Sequence, residues 1–212
     1  MPSSHPLIIS RPRGVLVAAA LALCAGAQAA TTVTIESMGF TTNSNVIQTL
    51  RPGFGSTAEV TLDWNPFPGT GRTLVNWVGS YSGRDAAYCG GVDCTLDLLA
   101  TAGSIVTLDS FWLGGWPNAN RQIAWSVIDL STNAVVASDA PTGPNVSGAT
   151  GLTVTVGASS ATGLRILFGP DGFNGGINDI TFSATPVPEP GTWALWMAGL
   201  GGMMLVARRR SR

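Results

Sequence analysis

Three kinds of side chain in this 212-residue chain could do chemistry: carboxylates, two cysteines of the central region and several tryptophans. The 11 basic residues are all arginine, and the single histidine, His5, lies near the N-terminal end. Residues 30–190 therefore contain no lysine for a Schiff base and no histidine for base catalysis or metal binding. Chemistry in that region is limited to acids, thiols and aromatic surfaces.

Carboxylates are the remaining candidates for catalysis, since most glycosidases need two of them. The pair lies about 5–5.5 Å apart in retaining enzymes and about 6.5–9.5 Å apart in inverting ones. Nothing in the spacing of the aspartates selects such a pair. We therefore predict no catalytic residue and keep a carboxylate-dependent glycan hydrolase as the alternative. The conceivable members of a pair are Asp63, Asp85, Asp93, Asp97 and Asp109.

An oxygen-rich segment, residues 171–179, is the best metal candidate. It places Asp171, Asn174 and Asp179 among glycines. Calcium accepts about six to eight oxygen ligands, including backbone carbonyls, and a Gly-rich loop supplies both kinds. An ordinary turn built on Asn, Asp and Gly is the alternative. We expect no required cofactor, and a structural calcium ion is the hypothesis for this loop.

Tryptophans are the candidates for stacking on sugar rings. Trp116 follows Gly114 and Gly115, which predicts a loop and an exposed indole, so it is the glycan-binding candidate. Trp112 and Trp125 fall on the apolar sides of predicted strands, which favours the core.

The region that must position these groups, residues 30–185, has the pattern of one all-β domain. Apolar and polar residues alternate at period two, and Gly and Pro punctuate the stretch. Such alternation is typical of antiparallel sheets with one buried face and one wet face. We predict about nine or ten short strands in an antiparallel β-sandwich of jelly-roll type. The clearest alternating segments are 32–36, 60–63, 123–127, 152–156, 164–168 and 180–183, and further strands are predicted over 73–78, 95–99, 105–113 and 134–138.

Residues 1–29 have the pattern of a secretory signal peptide. Arg11 and Arg13 precede an apolar run over 14–25, and Ala27 and Ala29 supply the small residues of a cleavage site. We expect cleavage after Ala29. A retained membrane helix is the alternative, and Cys24 raises a second one, a lipoprotein signal.

A second apolar run, residues 192–207, predicts a transmembrane helix followed by a cytoplasmic arginine cluster over 208–212. Sixteen residues rise about 24 Å as a helix, against a hydrocarbon core of about 30 Å, so the run is marginal as a permanent anchor. With a signal peptide ahead of it, the middle of the chain must lie outside the membrane.

A short Pro-rich linker, residues 186–191, precedes this run. Its Val187, Pro188, Glu189 and Pro190, then an apolar helix and the arginine cluster Arg208, Arg209 and Arg210, resemble the PEP-CTERM sorting signal. The resemblance implies recognition by an exosortase, cutting near Pro188–Pro190, and a Gram-negative bacterium that makes exopolysaccharide. A plain C-terminal anchor after a Pro-rich linker is the alternative.

Two segments of the middle region, 108–116 and 176–182, are similar to secreted jelly-roll domains that often precede this signal, which resemble galactose-binding sandwiches. This resemblance supports the fold more than the function. It also implies a structural calcium between the first and last strands, which would recruit Glu36 and Asp179.

Cys89 and Cys94 are the two cysteines left after signal removal, and we predict that they form a disulfide. Oxidised pairs are expected in exported proteins. The sharper alternative is a metal site, but two cysteines without histidine lack the partners that zinc wants.

The charge distribution points to a soluble extracellular domain. The middle of the chain holds five arginines against 12 acids, a net charge of −7, which argues against nucleic acid as a partner. We predict an exported, non-enzymatic protein of the cell surface or biofilm matrix, adhesive or glycan-binding. The expected partners are the exosortase, the export machinery, the inner membrane transiently, and exopolysaccharide.

Overall fold

The computed structural model describes residues 29–35, 48–50, 52–91, 93–187 and 190–210. The signal peptide predicted over 1–29 lies almost wholly outside the described residues, and so does Glu36. The described residues form antiparallel strands and one C-terminal helix, which confirms the all-β prediction.

Among the described residues, strands follow one another up to the C-terminal helix. In chain order they are β1 (Thr31–Val33), β2 (Gln48–Thr49), β3 (Val60–Asp63), β4 (Val75–Tyr81), β5 (Arg84–Tyr88), β6 (Cys94–Ala100), β7 (Ser104–Gly115), β8 (Arg121–Gln122), β9 (Ala124–Asp129), β10 (Val135–Ser138), β11 (Asn145–Val146), β12 (Leu152–Ser160), β13 (Gly163–Gly169), β14 (Gly175–Pro186) and α1 (Pro190–Arg210). The strands that the sequence missed are β5 and the two-residue strands β2, β8 and β11.

Two sheets make the sandwich. The first has the order β12-β7-β14-β5-β4-β2, with β1 also paired to β14, and the second has the order β10-β9-β13-β6-β3. Strands β8 and β11 form a small separate pair. The main hydrophobic core contains residues of both sheets, as expected for a β-sandwich. The jelly-roll type stays a prediction.

The inward faces follow the predicted alternation. Val60 and Leu62 are buried on β3, and Leu164, Ile166 and Phe168 are buried on β13. Burying one such side chain contributes about 1.5–3 kcal/mol, so matched alternation on facing sheets is the main stabilising term. The period-two pattern therefore placed the core correctly on these strands.

Strand β7 breaks the alternation. Leu108 and Phe111 both join the main core although they are three positions apart, an odd offset that should place them on opposite faces. The register shifts against β14 between Thr181 and Phe182, whose partners are Ser110 and Leu108, so β7 carries one extra residue at this point. The other two shifts, between Thr155 and Ala158 and between Asn178 and Thr181, place the extra residue on β12 and β14 instead. Because one inserted residue turns every later side chain to the opposite face, Trp112 points away from the main core. The prediction that Trp112 is buried is confirmed, but the face assigned to it was wrong.

Strand β14 changes its neighbour beside these shifts. It pairs with β5 at Ile177 and with β1 from Ile180 onward. The fully buried Asn178 lies between the two pairings. Its Oδ1 accepts hydrogen bonds from the backbone N–H of Ile35 (2.8 Å) and Asp179 (2.6 Å), and its Nδ2 donates to the Asp85 carbonyl (2.7 Å). The carboxamide thus replaces the ladder bonds that the strand exchange interrupts.

The C-terminal end is closely attached to the sandwich. Strand β14 continues to Pro186, and the Val187 N–H donates to the Gly103 carbonyl at 2.7 Å. Helix α1 begins at Pro190 and carries Arg208, Arg209 and Arg210 in its last turn, where cations oppose the helix dipole favourably.

A helix forms over the run 192–207 as predicted, but the interpretation of that run as a transmembrane helix is not supported. In the part of the chain that the structure describes, no helix combines the length and apolar character needed to cross a bilayer. The run owes its limited hydropathy partly to Gly199, Gly201 and Gly202.

Replacing Asn178 with alanine should lower the free energy of unfolding by about 2–4 kcal/mol, because two buried backbone groups of Ile35 and Asp85 lose their partner. Urea denaturation followed by tryptophan fluorescence measures the change. The matched control is Asn145→Ala on the exposed side of β11, expected within about 0.5 kcal/mol of the parent. Equal effects of the two substitutions would contradict the role assigned to Asn178.

Candidate functional site

The outer face of the first sheet carries a layer of aromatic side chains. Tyr81, Tyr88 and Trp112 are buried there in a second small core, separate from the main one. The outer face of an antiparallel sheet ordinarily meets water and is polar. This layer, called the aromatic face below, consists of Trp77, Tyr81, Tyr88, Trp112, Trp116 and Phe173.

The rings on one side of the aromatic face form a continuous series of contacts. Tyr88 meets Trp77 edge to face at 5.8 Å between centroids, meets Tyr81 tilted at 5.7 Å, and meets Phe173 edge to face at 5.8 Å. Phe173 in turn contacts Trp116 at 4.9 Å. Pairs in such geometries contribute about 0.5–1.5 kcal/mol beyond burial, so the arrangement is held rigidly.

Trp116 and Phe173 form the accessible edge of the aromatic face. Phe173 is 40% exposed, and Trp116 is half-buried. The Trp116 N–H donates to the Asn174 carbonyl (3.0 Å), and the Phe173 carbonyl accepts a bond from the Tyr81 hydroxyl (2.7 Å). Both rings are therefore fixed through their backbones. Trp116 follows the end of β7 as predicted, although it is less exposed than a free loop residue.

The Cys89–Cys94 disulfide supports the loop that carries Phe173. The bridge confirms the prediction, with Cα atoms 5.5 Å apart. A Cβ on Gly172 would lie 2.5 Å from the Cys94 sulfur and 2.7 Å from the Cys89 sulfur, so glycine is the residue that fits. By loop entropy, a bridge across this separation contributes about 2 kcal/mol. It holds in place the loop on which Phe173 stands.

Trp112 occupies the other side of the aromatic face. A Cβ on Gly114 or Gly151 would overlap its ring, so these two glycines make room for the indole. Its Nε1 donates to the Thr150 carbonyl at 3.1 Å, and the Arg84 guanidinium lies 5.0 Å from the ring centroid. Cations at this distance are attracted by the face of an aromatic ring.

Asp179 holds Arg84 in position over Trp112. Two guanidinium nitrogens of Arg84 donate to its carboxylate, at 2.6 and 3.2 Å, and the Thr34 hydroxyl donates at 2.9 Å. Partial burial alone would raise the pKa of Asp179, but the hydrogen bonds from Arg84 and Thr34 lower it below its usual value. The carboxylate is therefore charged at neutral pH.

The residues proposed for calcium are engaged with one another or with Arg84. Asp171 accepts a hydrogen bond from the Asn174 amide within a single turn, and Asp179 binds Arg84. Over the described ranges, no three His, Cys, Asp or Glu side chains are grouped to hold a metal ion. Glu36 lies outside those ranges, so calcium stays a prediction.

The structure brings together one pair of candidate acids that spacing could not select. Asp63 and Asp97 face each other across β3 and β6. Both carboxylate oxygens of the buried Asp97 accept bonds from Arg165, each at 2.7 Å, and Arg165 lies 4.5 Å from the Phe67 ring centroid. These hydrogen bonds raise the pKa of Arg165 despite the opposing effect of burial. Asp97 is thus part of an ion pair with a structural role.

Other candidate acids also serve the fold. The Asp85 carboxylate accepts the Gly79 N–H at 2.8 Å, and Asp93 pairs with Arg72 at 3.5 Å.

The tyrosines of the aromatic face were not predicted from the sequence as site residues, although the turn between their two strands has a sequence signal. Ser82 and Gly83 both have positive φ, the geometry of a two-residue hairpin turn, and Gly at the second position is typical of it.

Comparison with known families matches residues 186–211 to the PEP-CTERM protein-sorting motif. Comparison of the chain with curated proteins gives no match. The chain carries the predicted sorting motif, which indicates an exported protein targeted by an exosortase in the envelope of a Gram-negative bacterium. Val187 is exposed at the end of β14, and the three terminal-turn arginines close α1, while Pro188 and Glu189 lie outside the described residues.

The aromatic face predicts an unusual alkaline titration, because the chain has two tyrosines and both lie in it. Burial raises the pKa of Tyr81, to which Tyr88 and Asp171 add, and burial raises the pKa of Tyr88. Both tyrosines have a higher pKa in the folded protein than in the unfolded chain. Their contribution to the free energy of unfolding is therefore fully present below pH about 10, and it is lost as the pH rises through the pKa values of the folded protein.

Absorbance at 295 nm should accordingly show little tyrosinate in the folded protein at pH about 10, where free tyrosine is half-ionised. In concentrated urea, both tyrosines should titrate near that value. Half-ionisation at pH about 10 with the fold intact would contradict the burial of the two rings.

Proposed function

We propose that this exported protein is a non-enzymatic component of the cell surface or extracellular matrix that binds a glycan through the aromatic face. The observation that carries the proposal is the edge formed by Trp116 and the 40% exposed Phe173, with half-buried Trp77 further along the same ring series. Exposed apolar surface on a soluble domain commonly marks a binding site. Sugar rings have apolar C–H faces that suit flat aromatic surfaces.

Rigidity supports binding at this edge. Trp116 and Phe173 are fixed by backbone hydrogen bonds, and the disulfide packs against Gly172 in the loop that carries Phe173. A site whose side chains are already ordered loses less conformational entropy when a ligand binds. This smaller entropy loss matters most for the affinity of a weak ligand, such as a single stretch of polysaccharide.

Charge favours a neutral glycan and disfavours nucleic acid. The middle of the chain carries a net charge of −7, and Arg72, Arg84 and Arg165 are each paired with an aspartate. A polyanion at the sandwich would meet a negative field, in which these three arginines are already paired with carboxylates. We therefore include neutral exopolysaccharide among the partners of the protein. The other proposed partners are the exosortase and the inner membrane, which the protein contacts transiently.

Binding is favoured over the alternative, a carboxylate-dependent hydrolase. The observation on the side of the hydrolase is that Asp63 faces Asp97. Against it, Asp97 is buried and Arg165 occupies both its oxygens, so it cannot exchange a proton with a substrate without breaking the ion pair.

Replacing Trp116 with alanine should weaken glycan binding at least about tenfold, a change of about 1.4 kcal/mol, because the edge loses its largest accessible ring. A glycan array followed by titration of the best ligand measures the effect, and Phe173→Ala should act in the same direction. Val135→Ala, on the edge of the other sheet, is the control and should leave binding unchanged. Equal affinity of parent and Trp116→Ala would refute the site.

Processing can be tested by the intact mass of the protein purified from its host. Cells with the exosortase should yield a chain that lacks the residues after the motif, and cells without it should yield a chain that keeps them. Replacing Pro188, Glu189 and Pro190 by alanine should have the same effect as loss of the enzyme. Retention of the C-terminal residues in both strains would disprove sorting by this motif.

A further inference from the structure

A cavity of about 250 Å³ lies at one end of the second sheet, apart from the aromatic face. Trp125 of β9 and Leu167 of β13 contribute to its walls, together with Pro141, Pro170, Ser126 and Asp93. This space, called the Trp125 cavity below, is smaller than the roughly 300–1,000 Å³ of sites for drug-sized ligands. Its size suits one ring rather than an oligomer.

The apolar wall of the Trp125 cavity is held by the main core. Trp125 is half-buried, and its ring meets Phe111 of the opposite sheet edge to face at 5.6 Å. The proline rings of Pro141 and Pro170 add rigid C–H surface. An indole beside saturated rings offers a flat, ordered contact area at little entropic cost.

The polar groups of the Trp125 cavity fix the class of ligand. Asp93 presents a carboxylate that Arg72 partly neutralises, with 3.5 Å between Nη2 and Oδ2 and both side chains about one-third exposed. A carboxylate accepts hydrogen bonds strongly from hydroxyl groups, whereas it repels an anionic ligand. Because Arg72 already supplies a positive charge, the attraction of this carboxylate for a cationic ligand is reduced.

The Trp125 cavity and the aromatic face share one loop. Pro170 lines the cavity, and Phe173, three residues later, stands in the aromatic face. Three residues span at most about 11 Å. Asp93 belongs to the turn between the two bridged cysteines, and that bridge packs against Gly172 of the same loop. The disulfide therefore braces both sites at once.

We propose that the Trp125 cavity binds one neutral sugar ring and serves as a second subsite for the glycan that the aromatic face holds. The proposal rests on the proposed function for its biological ligand. The recognition itself depends on the cavity alone: the ring packs on Trp125 and Pro170, and its hydroxyl groups donate to Asp93.

The test is a titration of the purified full-length protein with monosaccharides, followed by NMR of the indole and backbone N–H groups. Glucose, galactose and mannose should shift the signals of Trp125, Ser126 and Leu167 with a dissociation constant on the order of 1 mM, as expected for so small a ligand. Glucuronate should bind more weakly than the neutral hexoses because of its charge.

Two variants connect the binding to the named side chains. Asp93→Asn keeps the shape of the side chain and should weaken hexose binding about tenfold, since a charged acceptor is lost. Trp125→Phe keeps an aromatic ring against Phe111 and should weaken binding several-fold, with folding checked by the thermal midpoint. The control Val135→Ala should bind like the parent.

Three results would overturn the proposal: no neutral hexose perturbs the cavity signals, glucosamine perturbs them while neutral hexoses do not, or Asp93→Asn binds like the parent. Failure of the proposed function is distinguishable from failure of the second subsite, because the proposed function is tested by titrating glycans with the parent and the Trp116→Ala variant. Monosaccharides that shift only Trp116 and Phe173 would leave the proposed function standing and remove the second subsite.

Discussion

The Asn178 carboxamide occupies the place where β14 exchanges one neighbouring strand for another. A strand in the interior of a sheet must satisfy its backbone groups on both edges, and an unmade bond in a buried position costs about 1–3 kcal/mol. One side chain with an acceptor and a donor makes the bonds that β1 and β5 leave open at Ile35 and Asp85. The next residue, Asp179, binds Arg84, which lies over Trp112. The strand exchange and the aromatic face thus meet at adjacent residues of one strand.

The two faces of the first sheet are both packed, which is unusual for an antiparallel sheet. The inner face joins the main core, and the outer face forms a small core of its own around Tyr81, Tyr88 and Trp112. Small residues make this possible: a Cβ on Gly176 would lie 2.7 Å from Tyr81 and from Ala86. Large rings can therefore lie flat on the strands, and a rigid apolar surface forms where a mobile polar one is ordinary.

Much of the fold could be predicted from local pattern, because alternation and turn residues act over a few positions. The core faces of β3, β13 and the end of β14, the disulfide and the sorting motif are of this kind. The face of Trp112 could not be predicted, since it depends on shifts in register between strands distant in sequence. The pairing of Asp63 with Asp97 likewise depends on the register between two strands that are distant in sequence. The candidate site was identified only at Trp116, because its other rings lie on strands, or in the case of Phe173 on a loop, whose mutual placement no short window encodes.

The bond from the Val187 N–H to the Gly103 carbonyl has a consequence for the exosortase. From Val187 to Pro190, the first residue of α1, the chain can extend by about 11 Å at most. An enzyme that cuts within this interval must approach the edge of a folded sheet, next to the turn that precedes β7. The segment between Val187 and Pro190 is therefore about as long, at most, as a helix is wide, about 10–12 Å with side chains. A cut in this interval would therefore require an enzyme with an open approach on the side that faces the sandwich, or release of the last residues of β14 from their partner strand.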